Sequence, residues 1–104
     1  MSKMLHSVYF WLREDLSAED RQKFADALDN LGEIDVVAEG HYGTPAATPD
    51  RAPVTDHSFD FSLFLSFKNI EDHDTYQIHP DHEIFVETFK SFWTKVSVLD
   101  STFH

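Results

Sequence analysis

The chain has 104 residues, a formal net charge of -11 and no cysteine. That length suits one domain spanning residues 1–104. The charge repels phosphate backbones and anionic headgroups, which argues against nucleic acid and membrane surfaces as partners. The missing thiol excludes disulfides, thiolate nucleophiles and zinc–thiolate sites.

Residues 1–6 include a charge but lead into no long apolar run, unlike a signal peptide. The longest apolar run, residues 8–12, is far too short to span a bilayer. The expected location is cytoplasmic.

Residues 4–12 read as a first strand. His6, Val8, Phe10 and Leu12 share one face and Leu5, Ser7, Tyr9 and Trp11 the other, so both faces are largely apolar. Ser17 then suits an N-cap, with Glu19 and Asp20 in the first turn, where the helix dipole favours carboxylates. Phe24, Leu28 and Leu31 follow at helical spacing, which predicts a helix over 18–31, and Gly32 is placed for a left-handed C-terminal cap. Residues 34–42 read as a second strand. Residues 43–54, with three prolines, read as a loop, long enough to be mobile or functional or simply a tolerated surface insertion.

The clearest strand is 59–67, in which Phe59, Phe61, Leu63, Leu65 and Phe67 alternate with Asp60, Ser62, Phe64 and Ser66. Asn69 caps a short helix over 70–77, which must end before Pro80 because the residue before a proline is pushed out of the helical region. His79 is then placed as a cap with Pro80 in the first helical position. Phe85, Phe89 and Trp93 extend that helix to about residue 93, and 94–99 form a last strand with Val96 and Val98 on one face. The order is β-α-β-β-α-β with the second helix broken in two, the ferredoxin-like α+β class with an antiparallel sheet. Helices cover one face of such a sheet. The apolar residues on the other face call for a cover, and a second copy of the sheet is the simplest, which predicts a homodimer through the open sheet face.

The segment from Tyr76 to His82 sets a phenol and two imidazoles around Pro80. Together with the Leu5-His6-Ser7-Val8 strand, the Phe59–Phe67 strand, Ser91-Phe92-Trp93 and the run from Val96 through Val98, Leu99 and Asp100, it resembles the stress-responsive dimeric α/β-barrel (Dabb) family over nearly the whole chain. The resemblance implies a ferredoxin-like protomer that dimerises into an α/β barrel, with a cavity between helices and sheet. Some plant members of the family are cofactor-free polyketide cyclases, and others are stress proteins that build larger rings. His82, Tyr76 and His6 match the cyclase residues. The inward histidine of the cyclase third strand is replaced by Phe61.

In this reading a neutral His82, its imidazolium disfavoured by the helix N-terminus, removes a proton beside a carbonyl, and Tyr76 holds the developing enolate. His6, His79, Phe61, Phe85 and Phe89 are the expected ligand-binding residues. The bland alternatives stand beside it. His79 caps a helix, His82 and His6 bond only to protein groups, and Tyr76 is a core aromatic with its hydroxyl paired. The protein is then a non-enzymatic stress or assembly protein. A third reading, an oxidising monooxygenase on the same kind of barrel, has no residue in its favour. No cofactor is expected. Nor is a metal, because Pro80 keeps His79 and His82 off a shared helix face and His73 and Asp74, although near, complete no fixed ligand set. Glu71, Asp72 and Asp74 read as a solvated helix face, and Trp11 and Trp93 as core or dimer contacts.

Overall fold

The computed structural model describes residues 3–104. The reading of the start of the chain as no signal peptide therefore lies in part, at Met1 and Ser2, outside the described residues. The elements are β1 (Met4–Leu12), α1 (Ala18–Leu31), β2 (Glu39–Gly43), β3 (Phe61–Phe67), α2 (Ile70–Gln77), α3 (Pro80–Phe89) and β4 (Trp93–Thr102). They form the expected ferredoxin-like arrangement, a four-stranded antiparallel sheet in the order β2-β3-β1-β4. Among the described residues no helix is long and apolar enough to cross a membrane.

Each helix starts where its sequence supplies an acceptor for an unpaired backbone N–H. Ser17 Oγ accepts from the Asp20 amide at 3.0 Å, and Asn69 Oδ1 from the Asp72 amide at 2.8 Å. His79 Nδ1 accepts from the Asp81 amide at 3.0 Å, with Pro80 at the head of α3. Caps of this kind are worth about 1 kcal/mol each. They fix the break between α2 and α3, and hence where Tyr76 and His82 stand.

The helices lie over one sheet face. Val8, Phe10, Leu12, Leu63, Leu65 and Phe67 are buried there against Phe24, Leu28, Leu31, Tyr76 and Phe85. Phe24 is fully buried, with six aromatic rings around it within 6.4 Å between centroids, those of Phe10, Phe61, Phe85, Phe89, Phe92 and Trp93.

Several boundaries differ from expectation. Residues 34–37 form a turn, with Val37 N donating to Ile34 O at 2.9 Å, and β2 begins at Glu39. Ile34 is buried in the core, so its apolar neighbourhood reflects packing rather than pairing. Gly32 is right-handed, at φ -66° and ψ -15°, so it is no left-handed cap. Closeness is what suits glycine here. A Cβ on Gly40 would stand 3.0 Å from Gly32 Cα and 2.9 Å from Leu65 Cδ2, which lets β2 pass against the end of α1. β3 begins at Phe61, since Asp60 instead tethers the chain to β1, its amide donating to Phe10 O and its carboxylate accepting from the Leu12 amide. α3 stops at Phe89 because Trp93 already opens β4, which pairs along the whole of β1.

The opposite sheet face carries Tyr9, Trp11 and Phe64, all partly exposed, and Leu99, which is 60% exposed. The loop over residues 44–60 supplies some cover at one end. Phe59 meets Tyr9 edge-on at 5.0 Å, and Trp11 Nε1 donates to Ser58 Oγ at 2.9 Å.

Candidate functional site

Strand alternation turns His6 toward the helices, along with Val8 and Phe10. In the β1–β4 register Asp100 lies directly opposite His6, on the same face, and His6 Nδ1 is 2.6 Å from Asp100 Oδ1. α2 then lays His73 and Tyr76 over this pair. They are three residues apart and so share a helix face. The His73 ring centre is 5.0 Å from that of His6 and the Tyr76 centre 5.9 Å from it. His82, in the first turn of α3, meets the Tyr76 ring at 4.9 Å in an edge-on arrangement.

These five side chains line one cavity of about 280 Å³. Val8, Phe10 and Phe85 line its apolar part. Val96 and Val98 also line it, yet remain 37% and 49% exposed, so the cavity opens along β4. The volume is at the small end for ligand pockets, which typically run about 300–1,000 Å³.

Burial governs the charge state of the site. His82 is held below its ordinary 6.5, chiefly by desolvation and then by the nearby His6. A backbone hydrogen bond to Gln77 and the charge of Glu83 oppose the shift. The expected direction is therefore found, with burial rather than the helix dipole as the main cause. His6 is also lowered, because its desolvation outweighs the hydrogen bond and charge of Asp100. A neutral His6 donating from Nδ1 leaves Nε2 as an acceptor. Tyr76, 1% exposed, has its phenol pushed well above the ordinary 10.0 by burial alone. It remains a neutral O–H, a donor rather than a base.

The structure brings together His6, Tyr76, His82 and Phe85 of the residues singled out in the sequence. It places three others away from the cavity. Phe61 meets Phe24 and Tyr42 with tilted rings farther along the sheet. Phe89 packs on Phe24 and Phe92 and lines a separate groove between α1 and α3. His79 spends its Nδ1 on the α3 cap. Among the described residues, neither His79 nor His82 belongs to a cluster of three potential metal-ligand groups. Instead His6, His73 and Asp100 each bring one donor atom within 4.8 Å of the others. Asp100 and the part played by His73 escaped the sequence reading. The one available signal was that Asp100 continues the same-face alternation of Val96 and Val98.

A family model described as the stress responsive A/B barrel domain (Dabb) matches residues 4–103. A search of curated proteins finds no match. Among solved structures, the chain is similar to a hydroxynitrile lyase from Passiflora edulis, at 20% identity over 98% of this chain and 94% of that one, with a TM-score of 0.81. It is also similar to a dimeric ferredoxin-like protein of unknown function from Thermobifida fusca, at 14% identity over 98% and 92% and a TM-score of 0.78. A Dabb family protein with a ferredoxin-like fold from Mesorhizobium loti matches at 21% identity over 97% and 96%, with a TM-score of 0.76.

Proposed function

Since the chain belongs to the stress responsive A/B barrel domain family, we propose that its helix–sheet cavity binds a small carbonyl-containing molecule and performs acid–base chemistry of the lyase or cyclase type on it. The observation that carries this reading is the convergence of His6, Tyr76 and His82 on one otherwise largely apolar cavity. His82 is the base. It is kept neutral by burial and so ready to accept a proton from a carbon or hydroxyl next to a carbonyl. Tyr76, kept protonated, donates a hydrogen bond to the oxygen on which negative charge develops. His6, oriented by Asp100, is the second polar anchor. The low-dielectric walls strengthen each of these interactions. The similarity to a hydroxynitrile lyase adds support for chemistry that joins or splits a carbonyl compound.

The test is a panel of small aldehydes, ketones and cyanohydrins assayed with the parent chain and with His82→Ala. Saturable binding or turnover that disappears in the variant, with an unchanged melting temperature, is the expected result. A variant that unfolds or dissociates, with no substrate found for the parent, would favour the alternative of an assembly protein without chemistry.

The partner in this reading is a second copy, docked through the open sheet face. Tyr9, Trp11, Phe64 and Leu99 there form an apolar surface that the loop covers only at one end. The Thermobifida fusca protein is described as dimeric. Sedimentation should give a dimer at micromolar concentration, and a stable monomer would contradict the docking.

A further inference from the structure

Positions 6, 73 and 100 come from three different elements, yet the fold gathers their donors within 4.8 Å of one another. We propose that His6, His73 and Asp100 bind one divalent transition-metal ion of the zinc type, with its open coordination position facing the cavity of Tyr76 and His82. The base and the proton donor of the acid–base reading, His82 and Tyr76, do not depend on this ion; with it bound, His6 and Asp100 turn from their mutual hydrogen bond to the metal.

Four features support the site. Two imidazoles and one carboxylate form a donor set that suits zinc, cobalt or iron better than the oxygen-seeking magnesium or calcium. Zinc–nitrogen and zinc–oxygen bonds of about 2.0–2.2 Å place tetrahedral ligand atoms roughly 3.3–3.5 Å apart. Small side-chain rotations reach that spacing, since the Asp100 side chain is 42% exposed and already meets His6 Nδ1 at 2.6 Å. The outer partner of one ligand is already in place. His73 Nδ1 lies 3.1 Å from Asp74 Oδ1, and an N–H donated there leaves Nε2 with its lone pair for an ion. Finally, His73 and Asp100 line both the inner cavity and an outer depression beside Met4, Ile70 and Asp74. An ion thus has a route in from solvent, and the net charge of -11 draws cations toward it.

Three protein ligands also leave at least one position for water or substrate, the pattern of catalytic rather than structural zinc. All three ligands line the cavity wall, so that position opens toward Tyr76 and His82.

The experiment uses the full untagged chain, treated with chelator and titrated with Co²⁺, with visible absorption as the readout and Zn²⁺ as competitor. The expected result is one ion per chain, with the ligand-field bands of a four- or five-coordinate site that zinc abolishes. His73→Gln and Asp100→Asn should each weaken uptake at least tenfold, and Asp74→Asn about tenfold, within the range seen for outer partners. Tyr76→Phe and His41→Gln should leave it unchanged. Absence of saturable uptake, or uptake indifferent to both His73→Gln and Asp100→Asn, overturns the proposal. If either ligand variant fails to fold, anomalous scattering at the zinc edge from crystals of the parent chain decides. A peak between His6, His73 and Asp100 supports the site. A peak elsewhere, or none, overturns it.

Discussion

The two ends of the helix–sheet layer are built from the same alternating strands, yet they serve different ends. Around Phe24 the space is filled by rings, with Phe10, Phe61, Phe85, Phe89, Phe92 and Trp93 packed edge-on, tilted or stacked. At the other end His6, His73, Tyr76 and His82 face the far side of Phe10, Phe85 and Trp93 across a cavity, and Asp100 adds a carboxylate. Close packing at the first end stabilises the fold. Incomplete packing at the second leaves room for a ligand and lets burial hold two imidazoles neutral. In the proposed function, stability and ligand binding are thus divided along one layer rather than between layers.

Substitutions separate the two ends. Phe24→Ala should have the largest effect on stability, about 3–5 kcal/mol, because a fully buried ring is lost from a packed cluster. Thermal or denaturant melting measures it, and a loss under 1 kcal/mol would mean that the aromatic end is not the stabilising one. His82→Ala should lower turnover of any substrate found by about 10²–10⁴-fold, the usual contribution of a general base, while the melting temperature stays within a few degrees. The opposite pattern would merge the two ends into one core. Gly40→Ala should cost roughly 1–3 kcal/mol, since its Cβ would press on Leu65 and on the backbone of Gly32. Ser17→Ala should cost about 1 kcal/mol through the lost cap of α1.

The smallest effect is on pH dependence. His82 is held below 6.5 in the folded chain, facing His6 from β1, His73 and Tyr76 from α2, Asp100 from β4 and its own neighbour Glu83. The unfolded chain therefore binds more protons near that value, so stability is fullest above 6.5 and declines as the pH falls through it. In chelator-treated protein, melting temperatures across this range should fall less steeply for His82→Gln than for the parent. Equal slopes would contradict the assigned shift.

Much of the fold was legible because local signals agreed with tertiary structure. The alternation from Phe61 to Phe67, the caps at Ser17, Asn69 and His79, and the break at Pro80 all stand where the sequence puts them. Ile34, Val36 and Val37 misled because an apolar turn beneath a sheet has the composition of a strand. Gly32 misled because a glycine after a helix serves a close crossing as readily as a left-handed turn. The site was only half legible. Tyr76 and His82 are neighbours across one helix break, and local spacing reveals them. The Asp100 partner of His6 lies 94 residues away. It is fixed by a strand register that one sequence does not display, and His73 reaches the pair only through the packing of α2. Phe61 and Phe89 carried the right chemistry for a pocket wall, but they belong to the filled end.

The central claim is that the polar end of the layer is a ligand site. The most direct test follows the histidine and tyrosine ring resonances of the untagged protein while small carbonyl compounds are titrated in. The account predicts saturable shifts confined to His6, His73, Tyr76 and His82, absent in Tyr76→Phe or His82→Ala. Shifts confined to the open sheet face around Tyr9, or no saturable shift with any compound at millimolar concentration, would contradict it.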